Sequence, residues 1–397
     1  MKQEIRPSCP DRPMSGEVWI LAALALAAAL VAVVAPEAGA SAAPPASMAS
    51  AEECARCHRD IARYWKASLH AQAVDNHRFQ DLFQRLKEKR TPNVDALCLQ
   101  CHAPAALYMR DLGFEKKVSW EGVTCDFCHS VRSVQSQAAR PFVLQVGRVK
   151  TGPLRTAQPS GHAAEYAEVH TSSTICAPCH QFVNENGLEV LGTAAEWQAS
   201  SYASRSVTCQ SCHMRATSGK VTDPKVARAS QAVVNLHEMP GGHSLTELNR
   251  ALLAQISAVR RGGNTVEVAV QITNRGAGHR VPTGLPLRTI VMVVEVDGGV
   301  GPRQTAERTY TRVVADENGQ ALSDEEAIWL RGAKVVRDNR LAPEERRTEQ
   351  FSFQVPRNTP VRVVAKFYYR YDPAPARGES TMPFLSVNTW LDAEGRN

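Results

Sequence analysis

Apolar positions divide the chain into three stretches. Val18 to Ala35 is an unbroken run of 18 apolar residues, preceded by Lys2, Arg6 and Arg12 and closed by Pro36. Ala38-Gly39-Ala40 follows with the small residues a signal peptidase requires. Residues 1–43 therefore read as a signal peptide; the alternative is an uncleaved N-terminal anchor, because the run is just long enough for a short membrane span. Both readings place the rest of the chain outside the cytoplasm, in the periplasm. Residues 44–248 lack a sustained period. Residues 58–70 and 74–90 are the clearest helical stretches, the second closed by Pro92, and the remainder reads as short helices and loops. From 249 to 397 the period shortens to two. Thr265–Thr273 alternates apolar and polar residues, and Leu287–Val296 is a β-branched run ending in the turn Asp297-Gly298-Gly299. Phe351–Val355 and Val361–Tyr371 continue the pattern, with one helical turn near Asp324–Trp329. The expected architecture is a mainly α domain of short helices and loops, followed by an all-β, sandwich-like domain.

Composition narrows this picture. Of 397 residues 43% are hydrophobic, which excludes disorder throughout, and 24 Gly with 23 Pro exclude collagen-like repeats. Only 6% are aromatic, a thin supply for the core of a 200-residue loop-rich domain. There are 11 cysteines. Cys9 precedes the apolar run and is discarded with the leader if that is cleaved. The other ten, with 11 of the 12 histidines, lie between residues 48 and 245.

Those ten cysteines fall into five identical frames: Cys54-x-x-Cys57-His58, Cys98-x-x-Cys101-His102, Cys125-x-x-Cys128-His129, Cys176-x-x-Cys179-His180 and Cys209-x-x-Cys212-His213. Cys-x-x-Cys-His is the attachment signature of c-type haem. Two thiols three positions apart on a helical turn meet the two vinyl groups along one porphyrin edge, and the adjacent histidine reaches the iron. Half zinc sites do not demand a histidine after every pair. A thioredoxin-like redox pair would occur once, and five tight loops would be an odd disulfide framework. Five covalently bound c-type haems are therefore expected, with the porphyrins supplying the planar apolar bulk that the side chains lack.

Seven histidines lie outside the frames and are candidates for the second axial position: His70, His77, His162, His170, His237, His243 and His279. His70 ends the helical stretch after the first motif and is expected to serve another motif's haem. His77 follows seven residues later, either as a ligand or solvated. His170 precedes Cys176 by six residues and is a good candidate, and His162 in a Gly-flanked loop is a weaker one. Of His237 and His243, which flank Glu238-Met239-Pro240-Gly241-Gly242, His237 is preferred; the other could ligate or hydrogen-bond a propionate. His279 stands alone in the β-rich part, in Gly278-His279-Arg280-Val281-Pro282-Thr283-Gly284. It is either an ordinary loop histidine or a ligand carried across the domain boundary. Met109, Met214 and Met239 are further options, though methionine more often only packs.

Several of these segments resemble multihaem cytochromes c related to hydroxylamine oxidoreductase and its tetrahaem electron acceptor. They are Cys54–His70 with its Trp-x-x-Ser-x-His ending, Gly122-Val123-Thr124-Cys125-Asp126-Phe127-Cys128-His129, Glu196-Trp197-Gln198-Ala199-Ser200, and Val207-Thr208-Cys209-Gln210-Ser211-Cys212-His213-Met214. The loop Gly278–Gly284 is similar to one in the β-rich domain of some exported members. The resemblance covers most of residues 50–290. It implies closely packed haems in a multihaem cytochrome c domain, mainly histidine-ligated irons, and His70 as a distal ligand. The chain lacks the Cys-x-x-Cys-Lys of pentahaem nitrite reductases and the eight motifs typical of hydroxylamine oxidoreductases.

The expected function is electron transfer between two redox partner proteins, the β-rich domain bracing the haems or docking a partner. The alternative is an oxidoreductase with one open-site haem acting on a small nitrogen or sulfur compound. The net charge of +6 would ordinarily raise nucleic acid as a partner. Without residues 1–40 it becomes about +7, and ten propionates would bring it to about −3 with ferrous irons or about +2 with ferric ones. The basic excess thus reads as counter-charge for the cofactors, with no nucleic-acid partner and membrane contact only through a retained N-terminal anchor.

Overall fold

The computed structural model describes residues 47–136, 138–226, 232–299, 301–371 and 381–396. The expected leader, its expected cleavage site and Cys9 lie outside the described residues. From Ser47 onward the chain is one compact unit. Among the described residues no helix is long and apolar enough to cross a membrane.

The first half is less helical than the sequence pattern suggests. Its longest helix, His77–Glu88, has 12 residues and is capped by Asn76, whose Oδ1 accepts from Arg78 N and Phe79 N. The helix Arg59–Lys66 stops short of His70. Between and after the motif turns the chain forms four two-stranded ribbons: β1 (Val131–Val134) with β2 (Phe142–Leu144), β3 (Val149–Gly152) with β4 (Ala163–Tyr166), β5 (Gln181–Val183) with β6 (Glu189–Gly192), and β7 (Ala216–Ser218) with β8 (Val233–Asn235). "Mainly α" is therefore corrected to short helices and ribbons. The physical reason is that β-branched and aromatic residues such as Val131, Phe142 and Val149 prefer extended backbone, and the motif turns are too short to propagate as helices. Two small apolar clusters serve this half, one around Val74, Phe83, Leu86 and Leu99, the other around Phe127, Val131, Phe142 and Val169.

The second half is built from eight longer strands: β9 (Leu252–Arg261), β10 (Thr265–Asn274), β11 (Thr289–Asp297), β12 (Gln304–Ala315), β13 (Lys334–Asp338), β14 (Arg346–Gln354), β15 (Val361–Arg370) and β16 (Thr381–Leu391). They form a three-stranded sheet, β14-β10-β9, and a five-stranded sheet, β13-β12-β11-β15-β16, antiparallel throughout. Strict alternation in β10 turns Val266, Val268, Val270 and Ile272 inward. There they share one core with Ile290, Met292 and Val294 of β11 and Val363 and Phe367 of β15.

The two halves meet along a polar and apolar seam. The turn of the β5–β6 hairpin inserts Asn184, whose Nδ2 donates to Gly332 O (2.8 Å) and Trp329 O (3.3 Å) at the end of the helix Glu325–Arg331. Leu188 and Val190 of the hairpin pack against Val314, Ala327 and Ile328. A side chain at Gly332 is disfavoured there, because a Cβ would sit 2.6 Å from the backbone oxygen of Ile328 as well as 2.6 Å from Leu188 Cδ2. Buried Arg312 of β12 donates to Val190 O.

Candidate haem-attachment sites

Each motif occupies a helical turn. His58 N donates to Cys54 O (2.9 Å), His129 N to Cys125 O (3.0 Å) and His180 N to Cys176 O (3.1 Å). The second and fifth motifs lie inside the helices Val94–His102 and Cys209–His213. This geometry puts both thiols of a pair on one side of the turn. All ten motif thiols are free, so no disulfide framework forms. Among the described residues no three of His, Cys, Asp and Glu gather as a metal-binding cluster.

Thiols of different motifs approach one another. Cys54 lies near Cys125, Cys101 near Cys179 and Cys176 near Cys209, close enough for the two thiols of each pair to interact. The first motif thus adjoins the third, the second adjoins the fourth, and the fourth adjoins the fifth. Sequence order does not give this arrangement.

The histidines carry a common signature. Nδ1 of His58, His102, His129 and His213 lies 2.5–2.8 Å from the carbonyl oxygens of Val221, Ala73, Thr151 and Pro240. Outside the motifs, Nδ1 of His162, His237 and His279 lies 2.7–2.9 Å from Ala163 O, Asn235 O and Arg280 O. A carbonyl can only accept, so Nδ1 carries the proton and the Nε2 lone pair stays free, the outer-shell arrangement of metal-ligating imidazoles. Burial, reinforced by neighbouring His180, lowers the His70 pKa to about 4; burial brings His180 and His237 to about 4 as well, and depresses His102, His129 and His279. These rings are neutral at physiological pH, the state that binds iron.

Ring spacing sorts the candidates. Two imidazoles on opposite faces of one iron have centroids about 6.2 Å apart, from metal–nitrogen bonds of about 2.0 Å and about 1.1 Å from each nitrogen to its ring centre. His58 and His162 are 6.2 Å apart, His70 and His180 6.2 Å, His213 and His279 6.4 Å, and His129 and His237 6.5 Å. His170 is closer to His129, at 5.4 Å and nearly parallel, but its Nε2 is 3.0 Å from Thr151 Oγ1. His102 differs: its ring neighbour is Phe79, stacked at 4.0 Å. Among the described residues, neither His77, exposed at the start of the His77–Glu88 helix, nor His243 stacks on a motif histidine. Met109 Sδ accepts from Met48 N (3.3 Å) and so faces the start of the described chain. The donor set, spacing and protonation state of these residues fit c-type haem.

The loop of His279 is held by contacts the motif spacing did not disclose. Glu196, buried on the helix Thr193–Gln198, faces Arg280, Thr283 and Arg340. The flanking runs Glu196–Ser200 and Gly278–Gly284 were each visible in the sequence, and the fold makes them one contact.

Comparison with known proteins supports a multihaem cytochrome c. Residues 53–130 match the family described as cytochrome c554 and c-prime. A penta-haem cytochrome c552 from Thermochromatium tepidum is similar with a TM-score of 0.68 and 21% identity, over 87% of this chain and 99% of that one. At that identity the likeness establishes a shared fold. A putative β-galactosidase from Bacteroides fragilis matches 35% of this chain and 16% of its own with 11% identity and a TM-score of 0.19. The CARDB domain of a Pyrococcus furiosus protein matches 36% of this chain and 90% of its own with 13% identity and a TM-score of 0.17. Neither of these two bears on the fold. No curated protein matches the chain.

Proposed function

We propose that this multihaem c-type cytochrome is exported to the periplasm and carries electrons between two redox partner proteins along five closely packed haems. The observation that carries the proposal is the set of four motif histidines each facing a second imidazole at 6.2–6.5 Å. When bound, c-type haem supplies one-electron Fe(III)/Fe(II) chemistry, and histidine on both faces leaves no position for substrate. The chain's own residues do the rest. The ten motif cysteines anchor the cofactors. His58 with His162, His129 with His237, His180 with His70 and His213 with His279 hold four of them. Backbone carbonyls fix ring orientation at Nδ1. Thiol approaches between motifs bring neighbouring attachment points together, the first with the third, and the second and the fifth each with the fourth. The kinship with hydroxylamine oxidoreductase and its tetrahaem acceptor, and the count of five haems suggested by the Thermochromatium neighbour, belong to this same proposal.

Stopped-flow reduction of the oxidised holoprotein tests it. The expected result is rapid reduction of all five haems without turnover of nitrite or hydroxylamine. Turnover of either compound would overturn the carrier reading. One observation favours a second reading. His102 is the motif histidine whose ring neighbour among the described residues is a phenyl group instead of an imidazole. A haem held there would have a face free for a small ligand, as an oxidoreductase acting on a nitrogen or sulfur compound requires.

A further inference from the structure

We infer that Glu196 is the positioning residue that seats His279 against its motif partner His213; the inference rests on the ligand pairing proposed above. Glu196 is 9% exposed in its side chain and belongs to the first half of the chain, whereas His279 belongs to the second. One carboxylate oxygen, Oε2, accepts from Arg280 N (3.1 Å) and from Thr283 Oγ1 (2.7 Å). The other, Oε1, pairs with Arg340 Nη1 at 2.7 Å, and Arg340 is itself 5% exposed and held by Asp338. The Arg280 residue is thereby fixed at its nitrogen by Glu196, while its carbonyl oxygen orients His279 Nδ1 at 2.9 Å. Carboxylate, backbone and imidazole form a relay in which the acid sets the ring without touching it.

Packing supports the same role. Gly278 lies so close to the first half that a Cβ would sit 2.9 Å from Tyr202 Cβ and Cγ and 3.3 Å from Trp197 Cδ1. Trp197 is the residue after Glu196, and its Nε1 donates to Val207 O (2.8 Å), just before the fifth motif. Tyr202 Oη donates to Arg275 O (2.8 Å), and Thr193 Oγ1 and Thr283 Oγ1 are 2.8 Å apart. The segment 193–202 is thus a socket for the loop 275–283, with a charge at its centre. Burying a carboxylate is unfavourable unless it is paired and hydrogen-bonded, and here two hydrogen-bond donors on the ligand loop and the Arg340 ion pair meet that requirement.

The test uses the holoprotein with Glu196→Ala, Glu196→Gln and His279→Ala, and Asn184→Ala as a seam control. Cyanide binding is followed in the Soret band, and spin state by Mössbauer spectroscopy. In Glu196→Ala one additional haem should bind cyanide about 10- to 100-fold more tightly than in the parent. Glu196→Gln, which keeps an acceptor oxygen, should recover part of that loss. Asn184→Ala loosens the seam elsewhere and should leave cyanide binding unchanged. If Glu196→Ala matches the parent while His279→Ala creates a cyanide site, the pairing stands and the positioning role is overturned. If His279→Ala also matches the parent, the pairing itself is overturned. An equal effect in Asn184→Ala would reduce Glu196 to a seam contact and overturn the inference. Should Glu196→Ala fail to mature, Thr283→Val removes one arm of the relay and should show the same effect in weaker form; parent-like binding there overturns it.

Discussion

Replacing Gly122 with alanine should damage the site of His70 from a position that contributes no ligand. Gly122 has φ +63°, and a Cβ there would lie 2.2 Å from His70 O and 3.1 Å from Ala71 O. The next residue donates Val123 N to the same His70 oxygen at 2.9 Å, and Val123 O accepts from Trp65 Nε1 at 2.9 Å. The methyl group therefore cannot be accommodated without separating the run before the third motif from the turn that carries His70. An L-residue at this φ costs about 1–2 kcal/mol. Losing the Val123 hydrogen bond costs about 1 kcal/mol, and displacing packed backbone about 1–3 kcal/mol. The sum, about 3–6 kcal/mol, is a large share of the roughly 5–15 kcal/mol that stabilises a typical domain. At about 2.1 cal/mol/K per residue the roughly 350 residues from Ser47 onward shift by about 1.4 °C per kcal/mol, so the melting temperature should fall by about 4–8 °C. The assay is thermal unfolding of the oxidised holoprotein followed in the Soret band, with a Mössbauer spectrum at low temperature. High-spin iron should also appear, because His70 is drawn away from His180. Gly113→Ala serves as the control, since its Cβ would meet the Glu115 side chain at an ordinary contact distance, 3.7 Å from Cγ and 3.8 Å from Oε1. A Gly122→Ala protein that melts within a degree of the parent and stays fully low-spin at the His180 site would refute the reasoning.

Other outcomes follow from the same geometry. His279→Ala should convert one haem to high-spin iron, seen as a new band near the visible charge-transfer region, and an unchanged spectrum would remove His279 from the ligand set. The reduced holoprotein should bind carbon monoxide at a single haem, the one on His102, and His102→Met should alter that binding; carbon monoxide bound at several haems would contradict the four imidazole pairs. Asp338 titrates below the usual carboxylate range: burial works to raise it, but the hydrogen-bonded Arg340 guanidinium outweighs burial. Its stabilisation is complete above about pH 4 and is lost as pH falls through the lowered value. Asp338→Asn should therefore lower the melting temperature at pH 7, with the difference from the parent shrinking below about pH 4. Chain produced without haem attachment should keep a β-rich far-UV spectrum and a protease-resistant fragment beginning near residue 250. Its first half, which among the described residues has two small apolar clusters of its own, should be digested.

The five Cys-x-x-Cys-His turns were legible because the chemistry of thioether attachment dictates consecutive residues, and local spacing is what a sequence displays directly. The strands from Leu252 onward were legible for a related reason: alternation in β10 and β-branched runs in β11 and β15 record which face is buried. The ribbons β1–β8 were missed, being three or four residues long, too short for a period to emerge. The pairing of histidines was the least legible feature. His162 and His58 are 104 positions apart in the chain and 6.2 Å apart as rings, and only tertiary folding sets that distance. Position in the chain ranked His170 above His162, whereas the structure gives His162 a free Nε2 and a facing ring, and sets Nε2 of His170 beside Thr151. Glu196 could have been found from the two flanking runs, but a lone glutamate on a short helix carries no spacing that points across to Gly278–Gly284.

The most direct test of the account is a Mössbauer spectrum of the fully oxidised, iron-57-enriched holoprotein, which counts low-spin and high-spin iron regardless of magnetic coupling between haems. Four facing imidazole pairs and a phenyl-flanked His102 predict four low-spin irons to one high-spin iron in each chain. Fewer than five irons, or two or more of them high-spin, would contradict it.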